Sequence, residues 1–119
     1  MYTSLSVYTV ERKKEEIENI KENIRRFALY NIIPLFGKAT DHLDSLPAPD
    51  SVFIGGSGGK LWEILETVDQ RLATDGRIVL NAITLDTLTS ANEFFGNAGY
   101  AVEVVTVSGR VARSAHSMA

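Results

Sequence analysis

The chain has 119 residues, enough for one modest domain with a single core. Fifteen acidic residues against twelve basic ones give a net charge of -3 and a pI of about 5.3, which argues against a broad nucleic-acid surface. There are no cysteines, so disulfides, thiolate metal sites and a cysteine nucleophile are excluded.

The first element reads from Leu5 to Val10, a β-branched and aromatic run that suits a strand. Ile17, Ile20, Ile24 and Phe27 follow at helical spacing and share one face. Glu15, Glu18, Lys21, Glu22 and Arg25 take the other faces. Glu22 and Arg26 stand four apart, a pair worth only a few tenths of a kcal/mol, roughly. Asn31 breaks the pattern, and Ile32 to Phe36 reads as a short strand. Pro34 cannot donate to a ladder, which places that strand at an edge. Asp41 to Leu46 suits one helical turn before Pro47 and Pro49 interrupt regular structure.

Ser51 to Ile54 reads as a short buried strand that runs into the loop Gly55-Gly56-Ser57-Gly58-Gly59. A helix is expected from Lys60 to Leu72, with Leu61, Ile64, Leu65, Val68 and Leu72 inward. Thr74-Asp75-Gly76 is a turn signal. Arg77 to Ile83 is almost continuously apolar, as in a parallel strand covered on both faces. Asp86 to about Phe95 is expected to be helical and to bury Leu88, Ala91, Phe94 and Phe95, with Gly96 and Gly99 at its end. Tyr100 to Val107 reads as a last strand, and residues 108–119 as a polar, loop-like tail.

Alternating strands and helices imply a single α/β domain: a mostly parallel sheet in a three-layer α/β/α sandwich. Such sheets bind ligands beyond the carboxyl ends of their strands. Glu11, at a strand end, can accept hydrogen bonds from a vicinal diol, or can simply complement a helix N-terminus. The glycine loop lies before a helix, where free backbone N–H groups can hold an anion, or it is a plain turn. It fits neither common nucleotide pattern: Leu61 stands where a Walker loop needs Ser or Thr, and also where G-x-G-x-x-G needs its last glycine. His42 and His116 read as surface residues, with too few ligands at suitable spacing for a metal. Arg110 and Arg113 can fork onto carboxylates, or can be solvated. No apolar run reaches the roughly 20 residues of a membrane helix. No signal segment is visible either, which makes the cytoplasm the default compartment.

Taken together, these segments resemble the class I methyltransferase fold, and within it the decarboxylating precorrin methyltransferases of the CbiT type. Ser6 to Arg12 resembles that family's second strand and its ribose-binding acidic residue. Phe36-Gly37-Lys38-Ala39 resembles the loop after the third strand, where backbone atoms meet the adenine; Lys38 stands where the usual pattern has Asp. Asp50 to Gly59 is similar to the fourth strand and the substrate-side loop, Gly76 to Leu85 to the fifth strand, and Val107 to Met118 to the segment after the sixth.

The resemblance implies transfer of a methyl group from S-adenosylmethionine to carbon 15 of a precorrin-6Y tetrapyrrole, with loss of carbon dioxide from an acetate side chain, in cobalamin biosynthesis. It implies that Glu11, Arg12, Lys38, Ala39 and Gly55 border the cofactor. It implies that Gly56, Ser57, Gly58, Gly59, Arg110 and Arg113 face the substrate. No general base is named, and no metal, nucleic acid or membrane is implied; self-association into a homo-oligomer is. The family's first glycine-rich strand end and its last strand have no counterpart in the chain. Removing them from the order 3-2-1-4-5-7-6 leaves 3-2-4-5-6, which renumbers to the flavodoxin-like order 2-1-3-4-5. Two alternatives to an enzyme stay open. One is a catalytically inactive, truncated or engineered flavodoxin-like fragment. The other is a subunit that lends its substrate loop to a larger assembly.

Overall fold

A computed structural model describes residues 6–56 and 59–107. The first strand, β1 (Val7–Glu11), leads into α1 (Lys14–Phe27) and returns as β2 (Ile32–Phe36). The pair is parallel, with Val7 opposite Ile32 and Glu11 opposite Phe36. In α1, Glu15 and Glu16 occupy the first turn and Arg25 and Arg26 the last, which suits the helix dipole. The helix stops at Ala28, whose φ of 55° is left-handed and whose N–H reaches the carbonyl of Ile24. Ile17 is buried, but Phe27 at the end of the same face is 61% exposed. Glu22 pairs with Arg25, not with Arg26: the turn brings the residue three along within reach.

The chain then makes a short helix α2 (Ala39–His42) and a 3-10 turn (Leu43–Ser45). A second unit repeats the motif: β3 (Ser51–Ile54), α3 (Leu61–Arg71), β4 (Arg77–Leu80) and α4 (Leu85–Asn97). β3 and β4 are also parallel, with Ser51 opposite Arg77 and Ile54 opposite Leu80. Strand alternation sends Val52, Ile54, Ile78 and Leu80 toward α3 and α4. There they meet Leu61, Leu65, Ala91 and Phe94 in the main core. Thr84 caps α4 by accepting from the backbone N–H of Thr87 at 3.1 Å.

The α/β order and the parallel pairing agree with the sequence; among the described residues the strands hydrogen-bond as two pairs. The pairs are β1-β2 and β3-β4, and the β1-β3 ladder of the flavodoxin-like order 2-1-3-4-5 is not among them. Nor is Tyr100 to Val107 a strand; residues 101–107 are exposed and unpaired. A strand exists only where another edge accepts its hydrogen bonds, and no described edge does so here. β4 stops at Leu80, leaving Ile83 87% exposed. Phe53 and Val79 also lie open on the sheet face away from the helices, so β3-β4 is covered on one face, not both. The two units meet through α2 and the 3-10 turn, which pack on α3, while α2 also touches β1. Arg71 ties this seam by donating to the carbonyl of Leu46.

Candidate functional site

The carboxyl ends of β1 and β2 form one corner. The backbone N–H of Gly37 donates to the carbonyl of Glu11 at 3.0 Å, so the turn after β2 is stitched to the acidic end of β1. The Glu11 side chain bends back over its own bend and accepts from the Lys13 N–H at 3.1 Å through Oε1. Among the described residues that carboxylate takes no other hydrogen bond, so most of its lone-pair capacity remains available to a diol.

Gly37 has a φ of 138°, which L side chains rarely adopt. A Cβ placed there would lie 2.7 Å from Nε2 of His42. That same Nε2 stands 2.8 Å from the carbonyl oxygen of Phe36. Lys38 and Ala39 form the start of α2 between these two contacts, and the Asp41 N–H closes the turn on the Lys38 carbonyl at 3.0 Å. Lys38 and Arg12 are exposed, and Ala39 is half-buried.

The carboxyl end of β3 carries the other half of the expected cleft. Asn81 N–H donates to the Ile54 carbonyl at 3.0 Å, closing the ladder just before Gly55. Gly55 and Gly56 leave the strand exposed. A Cβ at Gly56 or Gly59 would meet nothing within 4 Å; Gly59 is demanded by its φ of 82° and not by crowding. Gly59 borders a shallow cleft of about 320 Å³ between the first turns of α3 and α4, with Lys60, Trp62, Asp86 and Ser90 on its walls. Ser57, Gly58, Arg110 and Arg113 lie outside the described residues, as does His116.

The structure therefore brings Glu11, Gly37 and Ala39 into one corner and sets Gly55 at the end of a separate sheet. No group of three or more potential metal ligands gathers among the described residues. No described helix is long and apolar enough to cross a membrane. His42, expected as a surface residue, is half-buried and engaged with the β2 end. Its signal in the sequence was faint: a histidine five residues past a glycine that itself follows a strand.

The chain has clear relatives. The precorrin methyltransferase domain family matches residues 2–114. A probable cobalt-precorrin-6B C(15)-methyltransferase (decarboxylating) from Sulfurisphaera tokodaii is 36% identical over 102 residues, 85% of this chain and 53% of that protein. Its counterpart in Methanothermobacter thermautotrophicus is 34% identical over 86% of this chain and 54% of that protein. Among solved structures, the precorrin-6y C5,15-methyltransferase of Geobacter metallireducens superposes with a TM-score of 0.82 at 47% identity, covering 87% of this chain and 54% of that one. The C-terminal domain of the Rhodobacter capsulatus enzyme of that name gives a TM-score of 0.71 at 29% identity, covering 88% of this chain and 58% of that one. The chain thus spans about half the length of the curated relatives it matches.

Proposed function

The chain belongs to the precorrin methyltransferase domain family, and from that premise we propose that it carries the ribose–adenine side and the substrate-loop side of a decarboxylating precorrin methyltransferase. The reaction would move a methyl group from S-adenosylmethionine to carbon 15 of a precorrin-6Y tetrapyrrole, with loss of carbon dioxide from an acetate arm. The observation that carries this reading is the hydrogen bond from Gly37 to Glu11, which puts an acceptor carboxylate and an open backbone turn in one corner.

The donor set suits the cofactor. Glu11 has acceptor capacity for the two ribose hydroxyls, and the turn at Gly37 to Ala39 offers backbone atoms to the adenine edge, with Arg12 and Lys38 beside it and Gly55 facing the cofactor from the end of the other strand pair. Bound S-adenosylmethionine supplies an electrophilic methyl group on a sulfonium. The chain's own part is to bind, orient and keep water away, since methyl transfer to carbon depends chiefly on alignment in a dry site. Gly56, Ser57, Gly58 and Gly59 let the substrate approach the backbone closely, and Arg110 and Arg113 match its carboxylates. Location in the cytoplasm and self-association belong to the same proposal.

Calorimetry with S-adenosylmethionine tests it. Saturable binding at or below millimolar ligand is expected; no heat at millimolar ligand would remove cofactor binding from this chain. One observation favours a second reading, a family domain without activity of its own. Among the described residues β1 and β3 do not pair with each other, so the two halves of the cleft are not joined by a continuous sheet. That alternative requires a stable fold with no cofactor affinity.

A further inference from the structure

The carbonyl of Phe36 is the last of β2, where the ladder with β1 runs out and a backbone acceptor needs another partner. His42 supplies it from the end of α2, with Nε2 at 2.8 Å. The ring occupies the space that a side chain at residue 37 would need, 2.7 Å from the position of a Cβ there. Gly37 turns away at φ 138° and sends its N–H to Glu11. Glycine and imidazole are therefore interlocked: the ring fits because the glycine has no side chain, and the glycine's turn is held from outside by the ring. Ser45 Oγ donates to the His42 carbonyl at 2.9 Å and secures the histidine's own backbone.

We infer that His42 is a positioning residue: its bond to Phe36 holds the Gly37–Ala39 turn against Glu11 and so sets the width of the ribose–adenine corner. The inference rests on the proposed cofactor reading of that corner. His42 touches neither cofactor nor substrate in this role. It acts through the backbone, and the donor must be the Nε2–H form of the ring.

The test uses the whole chain, S-adenosylhomocysteine as probe, and three readouts. Ring nitrogen shifts in the wild type should report the Nε2–H tautomer; an Nδ1–H tautomer overturns the inference. Amide exchange at Gly37 should rise about tenfold in His42→Ala, the effect of one lost hydrogen bond, while protection at Leu65 stays unchanged. A purely structural role would raise both together and counts against positioning. Affinity for the probe should fall about tenfold in His42→Ala and recover in His42→Gln, whose carboxamide N–H can reach the same carbonyl. Equal affinity in wild type and His42→Ala overturns the inference. Should His42→Ala fail to fold, the wild-type tautomer and the Gln variant still decide it. Should the wild type bind no probe, the cofactor reading falls; the tautomer and the Gly37 exchange then judge the positioning of the turn by themselves.

Discussion

The phenolic hydroxyl of Tyr100 donates to the carboxylate of Asp69 at 2.6 Å, fastening the chain that leaves α4 to the flank of α3. Behind it, Tyr100 stacks edge-on against Phe95, Phe95 against Phe94, and Phe94 against Trp62. Burial first, then the hydrogen bond and the negative charge of Asp69, push the Tyr100 pKa from 10.0 up to about 12. The folded chain thus keeps this proton at a pH where the unfolded chain has lost it. The contribution is complete below pH 10 and is lost as pH rises through about 12. Denaturant unfolding of wild type and Tyr100→Phe across that window should show the extra fall in the wild type alone. Parallel curves would refute the coupling.

Leu65 is fully buried at the centre of the α3-α4-β3-β4 core. Leu65→Ala should cost about 2–5 kcal/mol, because the lost transfer energy adds to that of the cavity left behind. Urea midpoints measure it, and a cost below about 1 kcal/mol would mean that the core is not packed as described.

Gly76 closes the turn between α3 and β4, its N–H on the Ala73 carbonyl at 2.9 Å. A Cβ there would lie 2.5 Å from Leu72 Cγ and 2.8 Å from the Ala73 carbonyl oxygen. The leucine can rotate, but the backbone oxygen cannot, so Gly76→Ala should cost about 1–3 kcal/mol. Thermal melts of the two proteins give the comparison.

Ala28 ends α1 in the left-handed region at φ 55°, where its Cβ crowds the backbone. Gly relieves that contact but is more flexible when unfolded, so Ala28→Gly should gain a net of roughly 0.5–1 kcal/mol. A lower melting temperature for the variant would contradict the conformation assigned to this residue.

Glu11→Gln keeps the shape of the strand end and an acceptor for the Lys13 N–H. It removes the charge that strengthens bonds to a diol, worth about 1.5–3 kcal/mol or roughly 10-fold to 100-fold in affinity. Calorimetry with S-adenosylhomocysteine should show that loss while the unfolding midpoint stays put. Unchanged affinity would take Glu11 out of the cofactor site.

Much of the local structure was legible in the chain. Ile32–Phe36 and Ser51–Ile54 form strands with the boundaries their sequence suggested, because turn residues bracket each: Asn31 and Gly37, Asp50 and Gly55. The inward rows of α3 and α4 were readable for a similar reason, since Leu61, Leu65, Val68, Ala91 and Phe94 repeat at the helical period. Family membership was legible too, carried by the strand ends and the loops that follow them.

What the sequence determined by itself was therefore the order of elements, their apolar faces and the place of Glu11 and the glycines at strand ends. Only the tertiary structure decided which edges meet. The valine-rich stretch from Tyr100 to Val107 has the composition of a strand, yet stays unpaired because no described edge receives its hydrogen bonds. Likewise β1 and β3 close separate sheets, and His42 is drawn from the surface onto the Phe36 carbonyl. Local pattern records how a residue sits on its own element; pairing and capping need a second group brought close by the rest of the chain.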